Sequence, residues 1–306
     1  MGLLARSLIF VAGMAVGSWV GLHPSKAAAP TPPAPAPAAT APPAPPSNPL
    51  ADAPEISAWP RLNPEASITK AWRLAQGPHH APEDRRRIVT LTFDDGPFPE
   101  TTPKVLDLLD RHHVKATFFV IGQYLDGRDE RGEASRATLQ KVAAAGHIIG
   151  NHTHDHALLT AVTHTQVLEQ IDRGAASVER AIGRKPTVFR PPFGELDAFG
   201  QDAAATRGLD ILLWNVEAKD MERDDTTAMF NDVIRQIRRN EGGVVLLHDI
   251  RHSSVELTRR VLAWLELHKY DPARPTRYGY AIVDLPTYLR EVAQNPPQLR
   301  KAARPE

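Results

Sequence analysis

The 306-residue chain contains no cysteine. That absence removes disulfides, a thiol nucleophile, cysteine zinc sites and a lipoprotein anchor, so any bound metal must be held by His, Asp or Glu. Nor does either sign of charge dominate: 36 Lys+Arg face 36 Asp+Glu. The balance leaves no field to draw nucleic acid or an anionic membrane, and suits a neutral or mixed-charge partner. The apolar run Leu8–Leu22, at 15 residues, falls short of the roughly 20 that span a bilayer.

That run has a different meaning. Arg6 precedes it and Pro24-Ser25-Lys26-Ala27-Ala28 follows with small residues, the three-part layout of a secretory signal over residues 1–27. Leu3 to Ala5 lengthen it if Arg6 snorkels, so an uncleaved membrane tether is the alternative. Residues 28–54 are almost only Ala and Pro, with 11 of the 28 prolines between Pro30 and Pro54. Such a stretch cannot build a core. As polyproline II, at ~3.1 Å per residue, it reaches on the order of 80 Å. Residues 55–87 carry scattered Trp59, Ile68, Trp72 and Leu74, with a short helix expected from Pro64 to Gln76 packing on the domain that follows. Residues 294–306 read as a tail.

Residues 88–293 have the size of one α/β barrel. Apolar strand-like runs (Ile88–Phe93, Ala116–Ile121, His147–Asn151, Thr187–Phe189, Asp210–Trp214, Val244–Leu247, Tyr280–Val283) alternate with helical patterns. The helices are expected from Thr102, which caps the first, then over Leu139–Ala145, Val167–Ile182, Ala198–Thr206, Phe230–Arg238 and Val255–His268. About seven strands alternating with helices imply a parallel sheet with right-handed crossovers. An open doubly wound sheet fits the alternation too. A closed or distorted (β/α) barrel is favoured because chemistry-bearing segments follow five different strands, where an open sheet gathers its ligand at one switch point.

Those segments begin with Thr92-Phe93-Asp94-Asp95-Gly96-Pro97, two carboxylates where a strand stops and a Gly-Pro turn begins. Asn151-His152-Thr153-His154-Asp155-His156, Arg190-Pro191-Pro192-Phe193-Gly194, Trp214-Asn215-Val216-Glu217-Ala218-Lys219-Asp220 and Leu246-Leu247-His248-Asp249 follow. His152 and His156 are four apart, a spacing that one helical turn converts into two imidazoles on one face. His248 and His252 share that spacing, so spacing alone separates neither pair from surface histidines.

In order and spacing, the five segments resemble the motifs of the NodB-like polysaccharide deacetylases, metal-dependent carbohydrate esterases. The likeness runs from about Ile88 to Leu289. It implies an Asp95-His152-His156 metal site, with zinc favoured and cobalt, nickel or manganese compatible with N/O ligation. It implies Asp94 as general base, Arg190 steadying it, the Phe193 N–H with the metal at the oxyanion, Leu246 beside the acetyl methyl and His248 as general acid. His147 and His154 match no motif position. In the fourth segment the sequence departs: Glu217 stands where an aspartate orients the acid histidine, and Met221 where a tryptophan walls the site, with Asp220 retained between. The implied activity is removal of N-acetyl groups from an envelope glycan such as peptidoglycan or a chitin-like polymer. An O-acetyl esterase and an inactive glycan-binding module are the alternatives.

Overall fold

The computed structural model describes residues 68–81 and 83–297. The expected signal, the Ala/Pro stretch, residues 55–67 and residues 298–306 of the expected tail lie outside the described residues. Eight strands form one sheet: β1 (Arg86–Asp94), β2 (Thr117–Val120), β3 (Ile148–Asn151), β4 (Val188–Phe189), β5 (Asp210–Ile211), β6 (Val216–Glu217), β7 (Gly243–His248) and β8 (Gly279–Ile282). The order is β5-β4-β3-β2-β1-β7-β6, every pair parallel, with β8 beside the first half of β1 where β2 has not yet begun.

Chain length forces this sheet to curl. Its edges are β5 and β6, separated by six strand spacings, or roughly 29 Å in a flat sheet. Yet only residues 212–215 connect Ile211 to Val216, and five extended steps reach at most about 18 Å. The connecting residues straddle the seam: Leu212 N–H bonds Phe189 O at 3.0 Å and Asn215 N–H bonds Val244 O at 3.2 Å. The result is a distorted barrel, split between β5 and β6. Gln236 covers the β6 edge by accepting from the Glu217 N–H (3.0 Å) and donating to its carbonyl (2.8 Å).

Alternation along the strands divides inside from outside. Val89, Leu91, Phe93, Val245, Leu247 and Val216 face the helical layer. Ile88, Phe119, Ile148, Val188, Leu212 and Val244 fill the barrel's base, closed from below by Ala75 of α1 (Ile68–Ala75) and by Leu285, Tyr288, Leu289 and Val292 of α9 (Leu285–Gln294). Above that apolar floor the interior turns polar, with Thr90, Thr92, Asp94 and Arg190 all buried.

The remaining helices are α2 (Thr102–Arg111), α3 (Gln123–Asp126), α4 (Glu130–Ala144), α5 (His164–Ile182), α6 (Ala198–Thr206), α7 (Thr226–Asn240) and α8 (His252–Leu267). Polar residues set their starts: Asp129, Asp197 and Asp225 accept from first-turn N–H groups, and Thr163 with Gln166 forms a capping box. Thr102 does not cap α2. The helix starts one residue earlier than that role requires, with Thr101 at the cap position making no side-chain cap bond. Both threonine hydroxyls are engaged by Asp249 instead.

Candidate active site

The C-terminal ends of β1, β3, β4 and β7 and the loop after β6 meet at one rim of the barrel. β1 and β7 run in register, so Asp94 and His248 are direct neighbours across the strand pair. Asp95 follows in left-handed backbone (φ 71), which turns its carboxylate over the top of the barrel. There Oδ1 lies 3.4 Å from His152 Nε2 and 3.3 Å from His156 Nε2, while Oδ2 lies 3.7 Å from His248 Nε2.

No helix carries His152 and His156. They sit on the loop after β3, and two left-handed residues, Thr153 (φ 67) and His156 (φ 63), fold the four-residue spacing back on itself. Asn151 Oδ1 accepts from Thr153 N–H at 2.9 Å, Thr153 Oγ1 from His156 N–H at 3.1 Å, and Gln170 Oε1 from the N–H groups of His154 and Asp155. α5 must lie close beneath. Its Gly174 permits this, because a Cβ there would sit 2.7 Å from the Thr153 backbone.

These donors fit a divalent cation. One atom from each of Asp95, His152 and His156 lies within 4.8 Å of the others. Asp95 Oδ1 is buried without a hydrogen-bond partner among the described residues, an arrangement that costs free energy unless something binds it. His152 Nδ1 donates to Arg190 O at 2.7 Å, which orients the ring and aims Nε2 at Asp95. Burial resists ionisation of Asp95, yet the imidazoles of His152, His248 and His156 outweigh it and hold its carboxyl down at about 2.

Arg190 is fully buried, with its guanidinium over the Phe119 ring at 4.2 Å and the Trp214 ring at 5.4 Å. Its Nη1 donates to Asp94 Oδ1 (2.7 Å) and Thr92 Oγ1 (2.9 Å), and Nε donates to Leu212 O (3.0 Å). Burial pulls its pKa down while Asp94 pulls it up. Asp94 is thus paired through Oδ1, leaving Oδ2 toward His152 Nε2 at 3.7 Å.

The carboxylate on His248 is Asp220, not Glu217. Asp220 Oδ1 meets His248 Nδ1 at 2.7 Å, and Oδ2 accepts the His248 backbone N–H at 3.0 Å. Register explains the substitution of roles: β6 pairs Glu217 with Leu246, two residues short of His248, so a partner level with the imidazole must come from the loop beyond the strand. Arg251 fastens that loop by donating to the carbonyls of Asp220 and Met221. Burial lowers the His248 pKa, but Asp220 first, then Asp95 and Asp94, raise it to about 9.

Phe193 and Met221 are exposed by 61% and 40%, the first packed on His156 at 4.8 Å between centroids, the second next to Asp220. Phe193 is left-handed (φ 61) in a turn whose own hydrogen bonds use the N–H groups of Gly194 and Glu195. Leu246 is buried on the interior face, beside Thr92 on β1. His252 lies elsewhere, exposed at the start of α8 and 3.2 Å from Lys104 Nζ. His147 accepts from Ala116 N–H, and His154 faces Asp126 and Arg173.

A family model described as polysaccharide deacetylase matches residues 81–212. A chitooligosaccharide deacetylase of Bradyrhizobium sp. (strain ANU 289) is 36% identical over 167 residues, covering 53% of this chain and 71% of that protein. The chain belongs to the polysaccharide deacetylase family. Among other members, the peptidoglycan-N-acetylmuramic acid deacetylase PdaC of Bacillus subtilis (strain 168) is 30% identical over 210 residues, 69% of this chain but 40% of that relative's length. The solved structure of peptidoglycan deacetylase PdaC from Bacillus subtilis superposes with a TM-score of 0.56 at 28% identity, covering 70% of this chain and 94% of that one. The curled parallel sheet is thus the fold of this deacetylase family.

Proposed function

We propose that the chain is a metal-dependent hydrolase that removes N-acetyl groups from an envelope polysaccharide, with N-acetylglucosamine units of peptidoglycan or a chitin-like glycan as substrate. The observation that carries this reading is the juxtaposition across β1 and β7. A carboxylate paired with buried arginine and an imidazole paired with buried aspartate stand side by side, with the Asp95-His152-His156 donor set over them. A binding module needs none of that proton machinery.

Asp95, His152 and His156 would hold the cation, zinc by preference, with cobalt, nickel or manganese compatible with the same donors. Bound there, it supplies Lewis acidity toward the acetyl carbonyl and toward water. Asp94 takes the proton of the attacking water on Oδ2, because Oδ1 is occupied by Arg190. The guanidinium keeps that carboxylate aligned. The Phe193 N–H, outside the turn's own hydrogen bonds, faces the developing oxyanion. His248, protonated at neutral pH through Asp220, delivers a proton to the leaving nitrogen as the C–N bond breaks. Leu246 borders the space for the acetyl methyl, and the exposed Phe193 ring on His156 and the exposed Met221 beside Asp220 are available to the sugar.

The N-terminal signal-like segment supports action outside the cytoplasm, secreted, periplasmic or tethered to the membrane by an uncleaved signal. Among the described residues no helix is long and apolar enough to cross a membrane. The test is to incubate the zinc- or cobalt-loaded protein with several acetylated glycans and quantify acetate and free amine together. Equal release of both is expected. Acetate without amine would make it an O-acetyl esterase, and neither product would leave a binding module.

A further inference from the structure

Asp249 follows the last residue of β7, is wholly buried, and takes no part in the chemistry above. Two threonines at the start of α2 close on it: Thr101 donates to its backbone carbonyl and Thr102 to its Oδ2. The Thr102 hydroxyl in turn accepts from Phe98 N–H at 2.8 Å. The other carboxylate oxygen, Oδ1, has no hydrogen-bond partner among the described residues. It is pressed against Gly96, where an added Cβ would lie 2.4 Å from Oδ1 and 2.6 Å from Oδ2.

A carboxyl buried this way is expensive to keep, and burial raises its pKa to about 7. Its position has three conceivable uses. Orienting His248 is taken, since Asp220 occupies both the Nδ1 and the backbone N–H of that histidine. Capping α2 is not what the bonds describe, because threonine hydroxyls, not first-turn N–H groups, reach the carboxylate. What remains is the loop between β1 and α2. Asp249 touches the residue immediately after Asp95 on one side and the helix that ends the loop on the other. The left-handed backbone of Asp95 is sparsely populated by L residues, even though aspartate visits it more than most, so it gains from being held on both sides.

We propose that Asp249 is a positioning residue for the metal loop: it locks Gly96 and the start of α2 to the end of β7, and so keeps Asp95 Oδ1 within reach of both His152 and His156. The proposal rests on the metal reading above and adds to it a carboxylate that touches neither cation nor substrate. Thr101 and Thr102 are the other half of the same clamp.

The experiment titrates zinc alone into the metal-stripped full chain and into Asp249→Asn, Thr102→Val and Thr102→Ser, in competition with a chromophoric chelator. Circular dichroism and a urea midpoint are recorded on the same samples. Asp249→Asn is expected to weaken zinc binding by about 10- to 100-fold, the usual consequence of losing a group that orients a ligand. Thr102→Val should weaken it in the same direction by less, and Thr102→Ser should restore it. At saturating zinc, turnover of Asp249→Asn should recover and its alkaline pH limb stay in place, because Asp220 still holds His248. Zinc affinities for Asp249→Asn and Thr102→Val within twofold of the unaltered chain overturn the proposal. If Asp249→Asn fails to fold, the Thr102→Val and Thr102→Ser pair decides it. An unaltered chain that binds no zinc removes the metal reading, and this proposal with it.

Discussion

Replacing Asp220 by asparagine keeps the size of the group behind His248 and removes its charge. The imidazole is held at about 9 against an ordinary value of 6.5, with Asp220 the largest of the groups that raise it. Burial acts the other way while Asp95 and Asp94 still pull upward, so without Asp220 the value should fall toward the ordinary 6.5. At pH 8 an acid of pKa near 9 is about 90% protonated, and one that has fallen all the way to 6.5 about 3%, so turnover there should drop by up to roughly 30-fold. At pH 6 the two proteins should differ far less. The assay is a pH–rate profile of the zinc-loaded enzymes on one acetylated oligosaccharide, with NMR titration of His248 in the metal-free proteins. An alkaline limb that stays in place in Asp220→Asn and moves in Glu217→Gln would refute the reasoning and return the orienting role to Glu217.

Asp94→Asn should retain zinc and lose two or more orders of magnitude in turnover, with metal content and rate measured on one sample. His152→Ala and His156→Ala should each lose zinc occupancy by elemental analysis while His252→Ala, remote at the start of α8, keeps it. Arg190→Met should destabilise the fold by about 3–5 kcal/mol in urea, because it strands a buried Asp94 and frees carbonyls at the barrel seam; a loss under about 1 kcal/mol would show the pair to be dispensable. The pH dependence of stability in the metal-free protein has a defined sign. Since His248 is raised on folding, its contribution is full below its unfolded value near 6.5 and is lost as the pH climbs through about 9. Urea midpoints at pH 6 and pH 9.5 should reveal that loss, and Asp220→Asn should reduce it.

Much of this architecture was legible because parallel strands are buried on both faces and read as continuous apolar runs. Ile88–Phe93 and Val244–Leu247 are such runs, and they pair side by side in β1 and β7. β6 carries no apolar run of its own because it has two residues, one of them Glu217, and depends on Val245 and Leu246 for its pairing. α4 begins nine residues before its apolar periodicity, over Glu130–Thr138, where a capping aspartate rather than a hydrophobic stripe sets the start. The polar cluster could be assembled from motif order, but the geometry within it could not. A four-residue histidine spacing reads the same whether a helix or two left-handed residues produce it. Glu217 and Asp220 are both acids near a strand end, and only the register between β6 and β7 decides which one is level with His248.

Arg190 has two employers. The guanidinium that aligns Asp94 also bonds Leu212 O in the segment spanning the split between β5 and β6. Orientation of the proposed base and closure of the barrel therefore draw on one side chain and cannot be adjusted independently. A survey of substitutions at this position would register intolerance everywhere, and that intolerance would report on assembly as much as on turnover. Under the proposed activity, a change of glycan preference has freer ground at Phe193 and Met221, whose exposed side chains do not support the sheet.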